Sequence, residues 1–139
     1  MNIEVFVLCD AATDSQGKLN ILGAFDAIYA QEMPTIHPQC AIALRLRLNP
    51  DEHGAHKLDL TIVGPAGESI LSPFTANFSG GLDQPRESTA VNFIFNLQGL
   101  KIDKSGTYSV NLAIDDVPLA SLPLYAKTVP QPMPKGMTH

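Results

Sequence analysis

The sequence predicts an all-β fold, an antiparallel β-sandwich of seven to nine strands in one domain over residues 1–129. Three observations predict it. Apolar residues recur with period two along most of the chain, which puts alternate side chains on one face of a strand. Clusters of Gly, Pro, Asn and Asp interrupt that alternation at short intervals, where turns need their backbone conformations. Eleven prolines in 139 residues leave little room for long helices.

The elements follow in chain order. An apolar segment over 2–9 is followed by the turn Asp14-Ser15-Gln16-Gly17 and a second segment over 19–29. Ala30 to Met33 is the one candidate helical turn, stopped by Pro34. In 40–48, Ile42, Leu44, Leu46 and Leu48 alternate with Ala41, Ala43, Arg45 and Arg47. Asn49-Pro50-Asp51 then leads to 56–63, where Leu58, Leu60 and Ile62 alternate with Lys57, Asp59 and Thr61; the short connection predicts a hairpin of these two segments. Gly64-Pro65-Ala66-Gly67 and Ser79-Gly80-Gly81 bracket a segment over 69–78. In 88–97, Val91, Phe93, Phe95 and Leu97 alternate with Asn92, Ile94 and Asn96. In 106–114, Tyr108, Val110, Leu112 and Ile114 alternate with Ser109, Asn111 and Ala113. Asp115-Asp116 turns the chain into 117–128, where Pro118 and Pro123 cannot donate ladder hydrogen bonds and predict an edge strand. The Pro-rich end, 130–139, predicts a disordered tail.

Tyr108 refines the class. A tyrosine near the start of a late strand, bonding back to the backbone, is a mark of immunoglobulin-like sandwiches, so the predicted sandwich is immunoglobulin-like. Val110 stands where an antibody domain has its second cysteine, and the inter-sheet disulfide is therefore not expected.

Composition excludes several function classes. Nine Lys and Arg are scattered among 14 Asp and Glu, for a net charge of −5, the reverse of the basic patch that nucleic acid requires. No Lys or Arg precedes the first apolar run and Glu4 interrupts it, unlike a secretory signal. No apolar run reaches the roughly 20 residues that span a bilayer. The expectation is a cytoplasmic protein with Cys9 and Cys40 reduced, and with neither nucleic acid nor membrane as partner.

Motifs for chemistry are sparse. His37, Cys40, His53 and His56 have a zinc-like spacing, but Cys40 and His56 would stand roughly 25 Å apart at opposite ends of a strand, beyond the reach of one ion. There is no nucleophile elbow, phosphate-binding loop, Cys-x-x-Cys pair or His-Glu-x-x-His helix. Ser79-Gly80-Gly81 reads as a loop, and no cofactor is expected. The chain reads as a non-enzymatic interaction or structural module, with a protein partner or a homo-oligomer. Its rival is a small hydrolase or a cation- or ligand-binding protein using an acidic loop end.

That acidic end follows from strand parity. Alternating strands gather loops one, three, five and seven, which carry Asp10 and Asp14; Asp51 and Glu52; Asp83 and Glu87; and Asp115 and Asp116. A solvated loop end is the first expectation and a hard-cation site at Asp10, Asp14, Asp51, Glu52, Asp115 and Asp116 the second, since calcium takes oxygen ligands from convergent loops. A second candidate is the uncharged face of 88–97 and 106–114, with Asn92, Ile94, Asn96, Ser109 and Asn111. Depletion of charge is a feature of interface cores.

Leu8-Cys9-Asp10-Ala11, Gly17-Lys18-Leu19-Asn20-Ile21-Leu22-Gly23-Ala24-Phe25-Asp26, Pro34, and the closing Gly106-x-Tyr108 with its final hairpin through Asp115-Asp116 resemble a family of small uncharacterised bacterial proteins. The resemblance covers most of the chain. It implies a bacterial cytoplasmic β-sandwich and carries over no catalytic residue.

Overall fold

The computed structural model describes residues 1–130. The tail expected over 130–139 falls, from residue 131 on, outside the described residues. Nine strands form: β1 (Asn2–Ser15), β2 (Lys18–Phe25), β3 (Ala27–Ala30), β4 (Thr35–Leu48), β5 (Gly54–Val63), β6 (Phe74–Gly80), β7 (Thr89–Ile102), β8 (Gly106–Ile114) and β9 (Val117–Thr128). The all-β class holds. The only helical element among the described residues is a single turn at Pro50–Glu52. The turn expected at Ala30 to Met33 is a run of bends instead, and no helix there is long and apolar enough to cross a membrane.

Two sheets carry the strands, in the orders β2-β1-β4-β7 and β3-β9-β8-β5-β6. Their inner faces meet in one core. Leu8, Ile42, Leu44, Leu46, Leu97, Leu100 and Ile102 enter it from the first sheet, and Leu58, Leu60, Ile62, Tyr108, Val110, Leu112, Ile114 and Leu124 from the second. These are the residues that the period-two pattern assigns to a buried face.

Three expectations are corrected. Segments 40–48 and 56–63 are not a hairpin: β4 pairs with β1 and β7, whereas β5 pairs with β6 and β8. The connection at 49–53 therefore crosses between sheets. Segment 19–29 is two strands, because the chain steps from one sheet to the other at Asp26, where the Tyr125 amide donates to the Asp26 carbonyl at 2.8 Å. The pairing is not wholly antiparallel, since β3 runs parallel to β9 over Ala27–Ala30 and residues 125–128. That short strand covers only the end of β9. Pro118 and Pro123 pair inward with β8 and leave their outer side as a sheet edge, where a missing amide donor costs nothing.

β1 parts from its neighbour β4 before either strand ends. It pairs with β4 as far as Cys9 opposite Ala41; beyond that it pairs only with β2. The freed hairpin tip folds over the outer face of its own sheet. There Ala12 and Leu19 pack on Cys9, Ala41, Ala43 and Ile94 in a second apolar cluster. At the tip the Gly17 carbonyl accepts from Arg45 at 3.3 Å and from Asn92 at 3.2 Å, and the Asp14 carboxylate accepts from Asn92 at 3.3 Å.

Tyr108 takes the expected role. Its hydroxyl donates to the Lys104 carbonyl at 2.8 Å and accepts from the Lys104 amide at 3.4 Å, with the ring buried in the core. This pins the turn between β7 and β8. Tyr108→Phe is expected to lower unfolding free energy by about 1–2 kcal/mol, the loss of one partly buried hydrogen-bond pair. Equilibrium urea denaturation measures it, and an unchanged midpoint would remove the pin from the account of the fold.

Candidate functional site

Three acid-bearing connections do meet at one end: 49–53, 81–88 and 115–116 join strands whose registers place Leu48 opposite Thr89, Gly54 opposite Gly80, and Ile114 opposite Leu58 and Val117. The fourth does not join them. Asp10 lies within β1 against Gly23, and Asp14 sits at the folded-back hairpin tip. Of the six residues singled out, Glu52, Asp115 and Asp116 are tied into one network, Asp51 is its exposed neighbour, and Asp10 and Asp14 are elsewhere. Among the described residues no three His, Cys, Asp or Glu side chains form a group able to hold a metal ion.

The network is built on His56. Its Nδ1 lies 2.6 Å from the Asp115 carboxylate and its Nε2 2.5 Å from the Glu52 carbonyl. Both partners only accept, so the protonated ring, donating from both nitrogens, is the form the site satisfies. Accordingly the Asp115 carboxylate, above all, pushes the His56 pKa up, and His56 holds the Asp115 carboxyl below its ordinary value. Glu52 accepts from the N-terminal ammonium at 2.5 Å and from the Asn49 amide at 2.9 Å, and the first of these chiefly lowers its pKa. Lys57 meets Asp116 at 2.7 Å. Glu52, Asp115 and Asp116 are thus each paired with one of the chain's own cations. Neither nitrogen of His56 is free to take a proton from a substrate or to bind a metal.

The remaining zinc-pattern residues are dispersed. His37 is buried, its ring 5.5 Å from that of Phe25. His53 lays its ring against Gly81. Cys40 points into the main core and Cys9 into the outer cluster, so neighbouring strands hold the two thiols on opposite faces of one sheet, unbonded. Burial pushes the Cys40 thiol up to about 11. Cys9 is raised by burial too, and its Sγ stands 3.6 Å from the Ala41 carbonyl. Ser79 and Gly80 close β6 as strand residues. Two of the concavities are an apolar groove of about 460 Å³ lined by Phe6, Leu8, Phe25 and Leu122 among others, and an open depression of about 540 Å³ beside His56, Asn77 and Phe78. Neither sets a nucleophile beside a free base.

The uncharged face is split. Asn92, Ile94 and Asn96 lie on the outer side of the first sheet, where the hairpin tip covers Asn92 and Ile94 and leaves Asn96 exposed. Ser109 and Asn111 lie on the outer side of the second sheet, where their side chains and Ser121 bond to one another at 2.7–2.9 Å.

What the alternation did not single out is the flank where both sheets end. β7 is an edge strand of 14 residues, long against the usual five or six, and from Ser88 to Leu100 it has neither charge nor proline. β6 is the edge of the other sheet on the same flank. A partly exposed aromatic seam joins them: Phe78 meets Phe93 with centroids 5.0 Å apart, and Phe74 meets Phe95 at 5.6 Å. The seam was readable as a buried strand face. The open backbone beside it was not, since sheet order is absent from a strand pattern.

Two outcomes follow. His56, with a raised folded pKa, contributes stability that is complete below its ordinary value of 6.5 and is lost as pH climbs through the folded value. Asp115, with a lowered one, contributes above its ordinary 3.8 and loses it as pH falls through the folded value. The pair is therefore fully effective between these limits. His56→Ala is expected to cost about 1–2 kcal/mol at pH 6 and to flatten the fall in Tm between pH 6 and 9; parallel wild-type and variant profiles would refute this. Separately, both thiols should resist a thiol reagent in native buffer and react at once in 8 M urea. Rapid native labelling would show that the outer cluster is open.

Among curated proteins none matches the sequence. Residues 4–127, nearly the whole of both sheets, match a family of unknown function, and the chain belongs to that family, DUF6941.

Proposed function

We propose that the domain is a non-enzymatic protein-interaction module, an immunoglobulin-like sandwich acting in the bacterial cytoplasm, which recognises protein through the open β6–β7 flank. The observation that carries this is the β7 edge. Long, uncharged edge strands template pairing with other chains, and proteins ordinarily blunt them with charge, proline or a covering element. Here none of these lies between Ser88 and Leu100. An extended segment added to β7 would gain main-chain hydrogen bonds and cover the phenylalanine seam, the strand-addition mode of recognition.

Strand order supports the immunoglobulin-like class. β1, β4 and β7 fall in the order of strands A, B and E, and β9, β8, β5 and β6 in that of G, F, C and C′. Tyr108 supports it too. On this mapping the strand that would follow E, namely D, has no counterpart, and its place is the free side of β7. Buried, unbonded cysteines accord with a reducing compartment. The acidic end offers little support for a hydrolase, because Glu52, Asp115 and Asp116 are occupied by the N-terminus, His56 and Lys57.

A photo-activatable amino acid placed at Asn96, beside the β7 edge, or at Asp51, on the acidic end, tests the reading in cells. A discrete protein adduct from position 96 and none from 51 is expected. No adduct at 96, or equal adducts at both, would refute it.

A further inference from the structure

We infer that the occupant of the β7 edge is a second copy of this chain, paired antiparallel through β7 about a twofold axis at Ile94. This rests on the interaction reading above and names its partner. The charges that bracket the strand carry the inference. Glu87 and Lys101 stand at equal distances along the chain from Ile94, one before the uncharged run and one after it, and their charges are opposite. Just outside them stand Arg86 and Asp103. All four are exposed, and Lys101 has only a 3.7 Å contact with Asp103 to relinquish.

Antiparallel pairing about Ile94 sets Ala90 of one copy against Gln98 of the other, and β7 holds one register against β4 as far as Ile102, so the frame of the strand carries on to Lys101. This pairing also brings each Glu87 to the Lys101 of its mate, with Arg86 and Asp103, one position out of register with each other, at the same two ends. The twofold axis makes every pair twice. Parallel pairing would instead set like charge against like. The same arrangement joins two four-stranded sheets into one continuous sheet and places the phenylalanine seams of both copies side by side. A twofold, isologous contact closes on itself. Using the edge in this way removes it as a template for open-ended aggregation.

Sedimentation equilibrium from 1 to 500 µM, at 50 and 500 mM salt, tests this. The wild type is expected to form a dimer that weakens with salt. Arg86→Glu with Lys101→Glu makes both ends of the pairing acidic, and should weaken the dimer at least about tenfold at low salt. Glu87→Lys with Lys101→Glu exchanges the charges and should hold affinity within about threefold. Circular-dichroism melts establish that both variants are folded. A wild type that is monomeric throughout, or an exchange variant as weak as the acidic one, would overturn the dimer. If position 96 still captures a different protein in cells, the interaction reading stands and only this partner falls.

Discussion

The structure depends on β4 being apolar on both faces, with side chains of different size on each. Toward the core it presents Ile42, Leu44, Leu46 and Leu48, long enough to meet the opposite sheet. On the outer face it presents Ala41 and Ala43, also fully buried. Only small side chains leave a sheet surface flat enough for another backbone to lie close upon it. The β1–β2 hairpin takes that position, and its reach fixes the rest of the outer surface. Arg45, next on that face, is held by Glu4 at 2.9 Å, the Gly17 carbonyl and Asn92. A strand usually buries one side; this one buries both, and its neighbours β1 and β7 are arranged around that fact.

Several charges are handled locally. Glu4 serves Arg45 and Arg47, Glu52 the N-terminus, Asp115 His56, and Asp116 Lys57. Carboxylates already paired and hydrogen-bonded are poor ligands for anything else, because a new partner must first displace the old one. On the proposed reading, recognition then falls to groups with no internal claim on them, and the most extensive set is the backbone on the outer side of β7.

The parts of this fold legible in the sequence are those that local alternation encodes. Which side chains of β4, β5, β8 and the middle of β7 face the core could be read directly, and Tyr108 announced its own hydrogen bond. Pairing partners could not be read, because alternation is the same whether a strand's neighbour is the next in sequence or one much further on; hence β4 and β5 looked like a hairpin. The hairpin fold-over was hidden for a related reason. Ala41 and Ala43 look like a tolerated solvent face until something is known to lie on them. The role of His56 could not be read either, since its partner Asp115 is 59 positions away. Strand parity did place three acid-bearing connections together. It misplaced Asp10 and Asp14, because 19–29 is two strands rather than one, so that β1 runs antiparallel to β4 and its closing turn leaves from the other end.

The step at Asp26 has a mechanical consequence. Between Phe25 and Ala27 the chain passes directly from one sheet to the other, and the short parallel strand that follows is laced to β9 by backbone bonds as far as Val129. On that flank the sheets are sewn together like the spine of a book. On the opposite flank residues 81–88 stitch β6 to β7 at one corner, and beyond it the two strands meet through two pairs of aromatic rings, a fore-edge held by friction more than thread. Thermal breathing of such a body concentrates at the fore-edge, since ring contacts yield before covalent crossings do. Anything that seats there acts as a clasp: it stiffens both covers at once, and occupancy of one strand edge becomes rigidity of the whole domain.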